Sequence, residues 1–313
     1  MGPLLSVLDV RRYYEVRRSV FSVEKEIIRA VDGVSFELDA GRTLGVVGES
    51  GSGKSTLARC LMFLERPDSG KVIFDGVDLL NSSPAVIRKV RRKLQIIFQD
   101  PYSSLNPRMT VRDIIAEPIK FHHIVKGTKA LNDKVIGVLD SVGLNGDFLK
   151  KYPHEMSGGQ RQRVAIGRAL ATGPALIIAD EPVSSLDVSI QAQIINLFID
   201  IREKLNIAMI FVSHDLNIVR FISDTILVLY KGKVVEMGER DQVFLNPRHP
   251  YTKMLIDAAK GEFSLKSEPA ETPEPGQCPY YDTCKDRKPV CRSQSPELTG
   301  DNGHKVACLK GAP

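Results

Sequence analysis

The sequence predicts an α/β core interrupted by a helical insert and followed by a small cysteine-bearing tail. Three observations carry that expectation. Short apolar runs of strand length alternate with helix-period segments through much of residues 1–258. Between 102 and 172 the strand runs vanish and helical periodicity takes over. After about residue 260 the composition shifts to Glu, Pro and Ser, and four of the five cysteines crowd into residues 278–308.

The 313 residues suit about two domains, or one large domain with an appendage. With 42% hydrophobic and 26% charged residues, wholesale disorder is excluded. A net charge of +5 is mild on this length and does not mark a nucleic-acid binder. No run approaches the ~18–20 apolar residues of a membrane span. The opening MGPLLSVLDV lacks the basic start and long apolar core of a signal peptide. Gly2 and Ser6 match a loose myristoylation pattern, which Pro3 reduces to coincidence. The working class is intracellular and soluble.

Taken in order, 4–10 and 28–38 read as strands, and the charged stretch 11–29 reads as a loop or hairpin. Residues 43–47 (TLGVV) form a buried-strand run, ending in a glycine-rich turn with a helix from 54 to about 64. Residues 72–74 and 94–98 are further strands. Inside the insert, 111–121 and 132–142 carry helical periodicity. Then 175–179 is a strand, 188–205 a helix, 208–212 a strand and 216–222 a helix, with a strand pair at 225–230 and 233–237. Residues 262–277 mark a linker. The expected domains are 1–258, with the insert at 102–172, and 259–313 for linker and tail.

Gly48, Glu49, Ser50, Gly51, Ser52, Gly53, Lys54 and Ser55 spell G-x-x-x-x-G-K-S between a strand and a helix. Glycines let successive N–H groups turn inward onto phosphate oxygens. The helix start, with Thr56 in its first turn, adds partial positive charge. Lys54 supplies a point charge for β and γ phosphates, and Ser55 offers a hydroxyl to Mg²⁺. A second apolar strand ends in Asp180 and Glu181. Alternation sends the two carboxylates in different directions. Asp180 suits the Mg²⁺ shell, and Glu181 suits polarisation of an attacking water.

Met156-Ser-Gly-Gly-Gln-Arg-Gln-Arg163 resembles the signature motif of ABC-transporter ATPase subunits, with Met at a position where Leu is usual. Gln99 resembles that family's Q-loop, Ser184-Ser-Leu-Asp187 its D-loop, and His214 its switch histidine, all in the family's order. Three longer stretches are similar to the oligopeptide/dipeptide permease ATPases, nearer the F-type subunit than its D-type partner. They are Phe98 to Arg108, Asp180 to Gln193, and Asn246-Pro-Arg-His-Pro-Tyr-Thr252. The resemblance covers residues 4 to about 258, and the cysteine-bearing extension is also similar to that group.

The resemblance implies an ABC ATPase fold on a P-loop NTPase core, with two ATPase domains meeting head to tail. ATP on one phosphate loop is closed by Ser157, Gly158, Gly159, Gln160 and Asp187 of the other. It implies that Gln99 touches Mg²⁺ and water, that His214 reaches the γ-phosphate, and that Tyr14 stacks on adenine, with Tyr13 one residue away. The signature also makes physical sense, because a helix beginning near Gln160 aims its N-terminus at phosphate.

Cys278, Cys284, Cys291 and Cys308 follow C-x5-C-x6-C-x16-C, which is not a usual zinc-finger spacing. Four thiolates there suit an iron–sulfur cluster or zinc. Free thiols or a disulfide are the plainer alternative. The resemblance places a 4Fe–4S cluster ahead of zinc. Cys60 reads as a small buried residue. His122, His123, His154, His249 and His304 show no metal-ligand pattern, although His304 is near enough in sequence to replace a thiolate.

The implied function is an ATP-hydrolysing subunit that energises a membrane importer of peptides. Its implied partners are a second ATPase subunit (a paralogue or itself), two membrane-spanning permease subunits and, indirectly, an extracellular solute-binding protein. Its implied place is peripheral, on the cytoplasmic membrane face. Oligosaccharide or nickel import by the same machinery is the nearest alternative. A non-transport ABC ATPase would carry coiled-coil insertions or a second fused unit, and neither pattern is present. A metal- or redox-sensing regulator would not need the complete set Asp180, Glu181 and His214.

Overall fold

The computed structural model describes residues 2–17, 25–261, 276–301 and 303–309. In chain order the strands and helices are β1 (Leu5–Arg17), β2 (Lys25–Leu38), β3 (Thr43–Val47), α1 (Lys54–Leu61), β4 (Ser69–Phe74), β5 (Val77–Asp78), α2 (Pro84–Lys93), β6 (Leu94–Ile97), α3 (Pro101–Ser104), α4 (Val111–Phe121) and α5 (Thr128–Ser141). They continue with α6 (Gly158–Leu170), β7 (Leu176–Asp180), α7 (Val188–Leu205), β8 (Ala208–Ser213), α8 (Leu216–Ile222), β9 (Thr225–Tyr230), β10 (Lys233–Glu239), α9 (Arg240–Leu245), α10 (Pro250–Ala259), β11 (Thr299–Asp301) and β12 (His304–Val306). The chain divides into two compact units, one of residues 1–38, 43–81 and 212–313, the other of 39–42 and 82–211.

In the first unit, β1 and β2 pair antiparallel from Leu5↔Leu38 to Arg17↔Lys25, with register shifts along the way. β4 pairs with the other edge of β1, giving the order β2-β1-β4-β5. Of the charged stretch expected as a loop or hairpin, residues 11–17 and 25–29 extend the two paired strands, and 18–24 lie outside the described residues. Cross-strand pairing overrides its weak apolar pattern. A second set of strands runs β11-β12-β10-β9-β3. All five residues of β3 are buried, as its apolar run requires, and it pairs parallel with β9. β12 adds antiparallel to β10 through Glu236↔Val306. The tail is thus a strand of this sheet, which its polar sequence did not announce.

In the second unit the strand order is β8-β7-β6, with β6 and β7 parallel from Leu94↔Leu176 to Ile97↔Ala179. The apolar faces of α4 (Val111, Ile114, Ile115, Ile119), α5 (Val135, Leu139) and α6 (Val164, Ile166) are buried. Thr110 caps α4 by accepting the Asp113 N–H, and Asp100 caps α3. Helix α2, which the sequence reading did not include, is basic and buries only Val90. Most of the linker, 262–275, lies outside the described residues.

Candidate functional site

The first unit carries the phosphate loop. β3 ends at Gly48, whose φ of 156° and whose Cβ position, 2.2 Å from the Leu229 carbonyl oxygen, admit no side chain. Gly53 at φ 105° is pressed on the Ala30 carbonyl in the same way, at 1.9 Å. The loop backbone is tied by Ser52 N–H to Glu49 O at 3.1 Å and Gly232 N–H to Ser52 O at 2.8 Å. Lys54 is buried and its ammonium donates to Gly48 O at 2.7 Å and Glu49 O at 2.8 Å. No side chain caps α1, so its first N–H groups are suited to an anion. Cys60 on α1 is fully buried, which pushes its thiol up to about 12 and leaves it unreactive.

Tyr14 is half-buried in the same unit, with its hydroxyl bonded to Glu65 and the Arg12 guanidinium 4.8 Å from its ring centroid. Tyr13, one residue along β1, instead donates to Asp32 at 2.6 Å. Burial raises both phenols, which stay neutral. His214 is exposed between β8 and α8, where Asp215 caps the helix by accepting Asn217 N–H.

The second unit carries the carboxylates. Asp180 is buried at the end of β7. Glu181 follows at φ 46°, a left-handed backbone that non-glycine residues rarely adopt. Its carbonyl accepts the Ser184 hydroxyl at 3.1 Å, so the D-loop pins that turn. Gln99 Nε2 donates to Glu181 Oε2 at 3.3 Å.

The signature also lies in this unit. Ser157 Oγ accepts Gln160 N–H, and Gln160 Oε1 accepts Ser157 N–H at 3.1 Å, forming a capping box at the start of α6. The helix begins at Gly158, two residues before its expected start. A Cβ on Gly159 would stand 2.6 Å from Ile190 Cγ2, so α6 and α7 approach closely there. Asp187 caps α7 by accepting Ile190 N–H at 3.0 Å. Gln191 donates to the Val183 and Leu186 carbonyls, bracing the D-loop.

The four tail cysteines carry free thiols and line one cleft with His249, Tyr280 and Asp286 among others. Cys278 N–H donates to Cys291 O at 2.9 Å. Burial raises the Cys278 and Cys284 thiols, and the neighbouring sulfurs raise them further. Among the described residues no group of three or more His, Cys, Asp or Glu is arranged to hold a metal ion. His304 does not replace a thiolate. Its Nε2 lies 2.7 Å from Glu236 Oε1, and both side chains are buried.

One functional group escaped the sequence reading. Tyr251 lies in the Asn246 to Thr252 motif, which pointed to a family but suggested no role. Its hydroxyl accepts Glu49 N–H of the phosphate loop at 2.8 Å.

A glycine cradle on a strand–helix junction, a strand-end carboxylate pair and a boxed signature helix define a phosphate-loop ATPase of the cassette type. The family model for ABC transporters matches residues 31–184, and that for the oligopeptide/dipeptide transporter C-terminal region matches 235–291. The oligopeptide transport ATP-binding protein AppF of Bacillus subtilis is 45% identical over 97% of this chain and 96% of its own length. The dipeptide transport ATP-binding protein DppF of Escherichia coli is 42% identical over 98% and 94%. Among solved structures, the dimeric ATP-binding cassette MJ0796 bound to ADP and Pi superposes with TM-score 0.67 at 29% identity, covering 75% of this chain and 98% of that one. CbiO1 from Clostridium perfringens, part of the transporter complex cbiONQ, gives TM-score 0.67 at 26% identity, covering 79% and 92%. The chain belongs to the ABC transporter ATP-binding proteins, in the oligopeptide/dipeptide transporter group.

Proposed function

We propose that this chain hydrolyses ATP to drive peptide import through a membrane transporter. The observation that carries the reading is similarity along the whole chain, cassette and tail together, to ATP-binding proteins of peptide transport. The chain acts peripherally on the cytoplasmic face, beside a second ATPase subunit and under two permease subunits, and a solute-binding protein delivers the peptide outside. No helix among the described residues is long and apolar enough to cross a membrane.

In this reading Tyr14 stacks on adenine, and the N–H groups of residues 48–56 with Lys54 hold the phosphates. Ser55, Gln99 and Asp180 would hold Mg²⁺, which would neutralise phosphate charge. Glu181 takes a proton from the attacking water, Gln99 orients it, and His214 holds the γ-phosphate. The partner's Ser157, Gly158, Gly159, Gln160 and Asp187 close the site. Uptake of labelled peptide into proteoliposomes holding the assembled transporter tests this. ATP-dependent peptide uptake that Glu181→Gln abolishes is the expected result. Uptake of an oligosaccharide and not of peptide would overturn the substrate class.

We also propose that Cys278, Cys284, Cys291 and Cys308 hold an iron–sulfur cluster that staples the short tail. The support for this reading is that the four thiols line one cleft, at a sequence spacing that is not a usual zinc-finger one. The cluster would supply cross-linking of a segment with little core of its own. Anaerobically purified protein should hold about four irons with acid-labile sulfide per chain. Stoichiometric zinc, or no metal, would overturn this assignment.

A further inference from the structure

Three restraints on the phosphate loop come from backbone packed against it. Gly48 abuts the Leu229 carbonyl, Gly53 abuts the Ala30 carbonyl, and Ser52 O accepts Gly232 N–H. A fourth is a side chain, the Tyr251 hydroxyl that accepts Glu49 N–H at 2.8 Å. The Gly48–Glu49 peptide is therefore held at both ends, by Tyr251 on its N–H and by the Lys54 ammonium on its carbonyl, that of Gly48. Lys54 must release carbonyl oxygens to reach phosphate. Tyr251 need not move, and it keeps the peptide oriented during that exchange.

The hydroxyl is itself supported from the tail. Tyr251 is fully buried, with its ring centroid 4.5 Å from Tyr230 and 5.6 Å from Tyr280. Tyr280 stands edge-on to Tyr230 at 5.2 Å and tilts against His249 at 5.5 Å. Tyr280 lies between Cys278 and Cys284 and lines the four-thiol cleft. His249 Nδ1 accepts Tyr251 N–H at 3.1 Å, which fixes the start of α10. Glu236 accepts both Arg248 N–H and His249 N–H at 2.8 Å while bonding His304 of the tail. One carboxylate thus locks the start of α10 and strand β12 together. Burial raises the Tyr251 phenol, so the hydroxyl stays neutral and able to accept.

We propose that Tyr251 is a positioning residue for nucleotide binding, setting the phosphate loop at Glu49, and that Tyr280 couples the cysteine tail to it. The proposal rests on the ATP-binding reading above. The test is titration of the full chain with a fluorescent mant-ATP analogue and Mg²⁺, beside thermal unfolding without nucleotide. Tyr251→Phe keeps the ring and removes the acceptor, so the analogue should bind about fivefold more weakly. Tyr280→Ala should weaken binding in the same direction while the phosphate loop sequence is intact. Affinity of Tyr251→Phe equal to the wild type overturns the positioning role, and equality of Tyr280→Ala overturns the tail coupling. A wild-type chain that does not bind the analogue overturns the nucleotide reading instead. Should Tyr251→Phe fail to fold, hydrogen exchange at the wild-type Glu49 amide decides the matter. Slow exchange supports the bond, and exchange at the rate of an exposed loop overturns it.

Discussion

Gln99 Nε2 donates to Glu181 Oε2 at 3.3 Å. The contact follows from register. β6 and β7 are parallel and pair Ile97 with Ala179, and each functional side chain sits two residues beyond its member of that pair. Parallel strands end on one edge, so both groups arrive together. Phe98 and Asp180 occupy the intervening positions.

Glu181→Gln removes the proposed base but keeps a partner for Gln99. Mant-ATP affinity should stay within about twofold, while phosphate release by the assembled transporter falls by at least ~100-fold. Release at the wild-type rate would remove Glu181 from the role of base.

Gly159→Ala should destabilise the second unit, because its Cβ would stand 2.6 Å from Ile190 Cγ2. The crowding costs about 1–3 kcal/mol if the helices must shift. Ile190→Ala in the same chain should restore part of the urea midpoint. Without any such rescue, the clash would not be the cause.

His304→Ala leaves the fully buried Glu236 carboxylate without its imidazole. Two backbone N–H donors remain to it. A loss of about 2–3 kcal/mol is expected in chemical denaturation at pH 7. Proteolysis of the tail should rise with it, since β12 is held by the same carboxylate. Unchanged stability would show that the backbone donors suffice.

The buried His249 imidazole is lowered to about 4 by desolvation. An unfolded histidine takes its proton near ~6.5. Between those values the unfolded chain binds more protons, so this stability is whole above pH ~6.5 and is lost as pH falls toward 4. His249→Asn retains a capping oxygen for Tyr251 N–H and removes the titration. Over that window the wild type should lose up to about 3 kcal/mol more than the variant. Parallel curves would show that His249 charges without cost.

The phosphate loop was legible because its chemistry is local. Eight consecutive residues on one strand–helix junction suffice to turn N–H groups inward. The strand end at Asp180 and Glu181, and helices α4, α7 and α8, were legible for a similar reason, because apolar spacing within one element reports its buried face. Helix α2 went unread although Val86, Ile87 and Val90 recur at helical spacing, since its stripe is short and only Val90 of it is buried. The extension of β1 and β2 was legible only as one of two alternatives, a loop or a hairpin, because partner strands rather than their own residues stabilise those charged segments.

The sequence by itself determined the class of chemistry and the order of its parts, since motifs are patterns of neighbours along the chain. Only the tertiary structure decided that Tyr251 meets Glu49 across 202 residues, and that His304 serves Glu236 and not the thiols. Most buried polar atoms find a partner wherever the fold offers one. That choice depends on packing, and sequence spacing does not encode it.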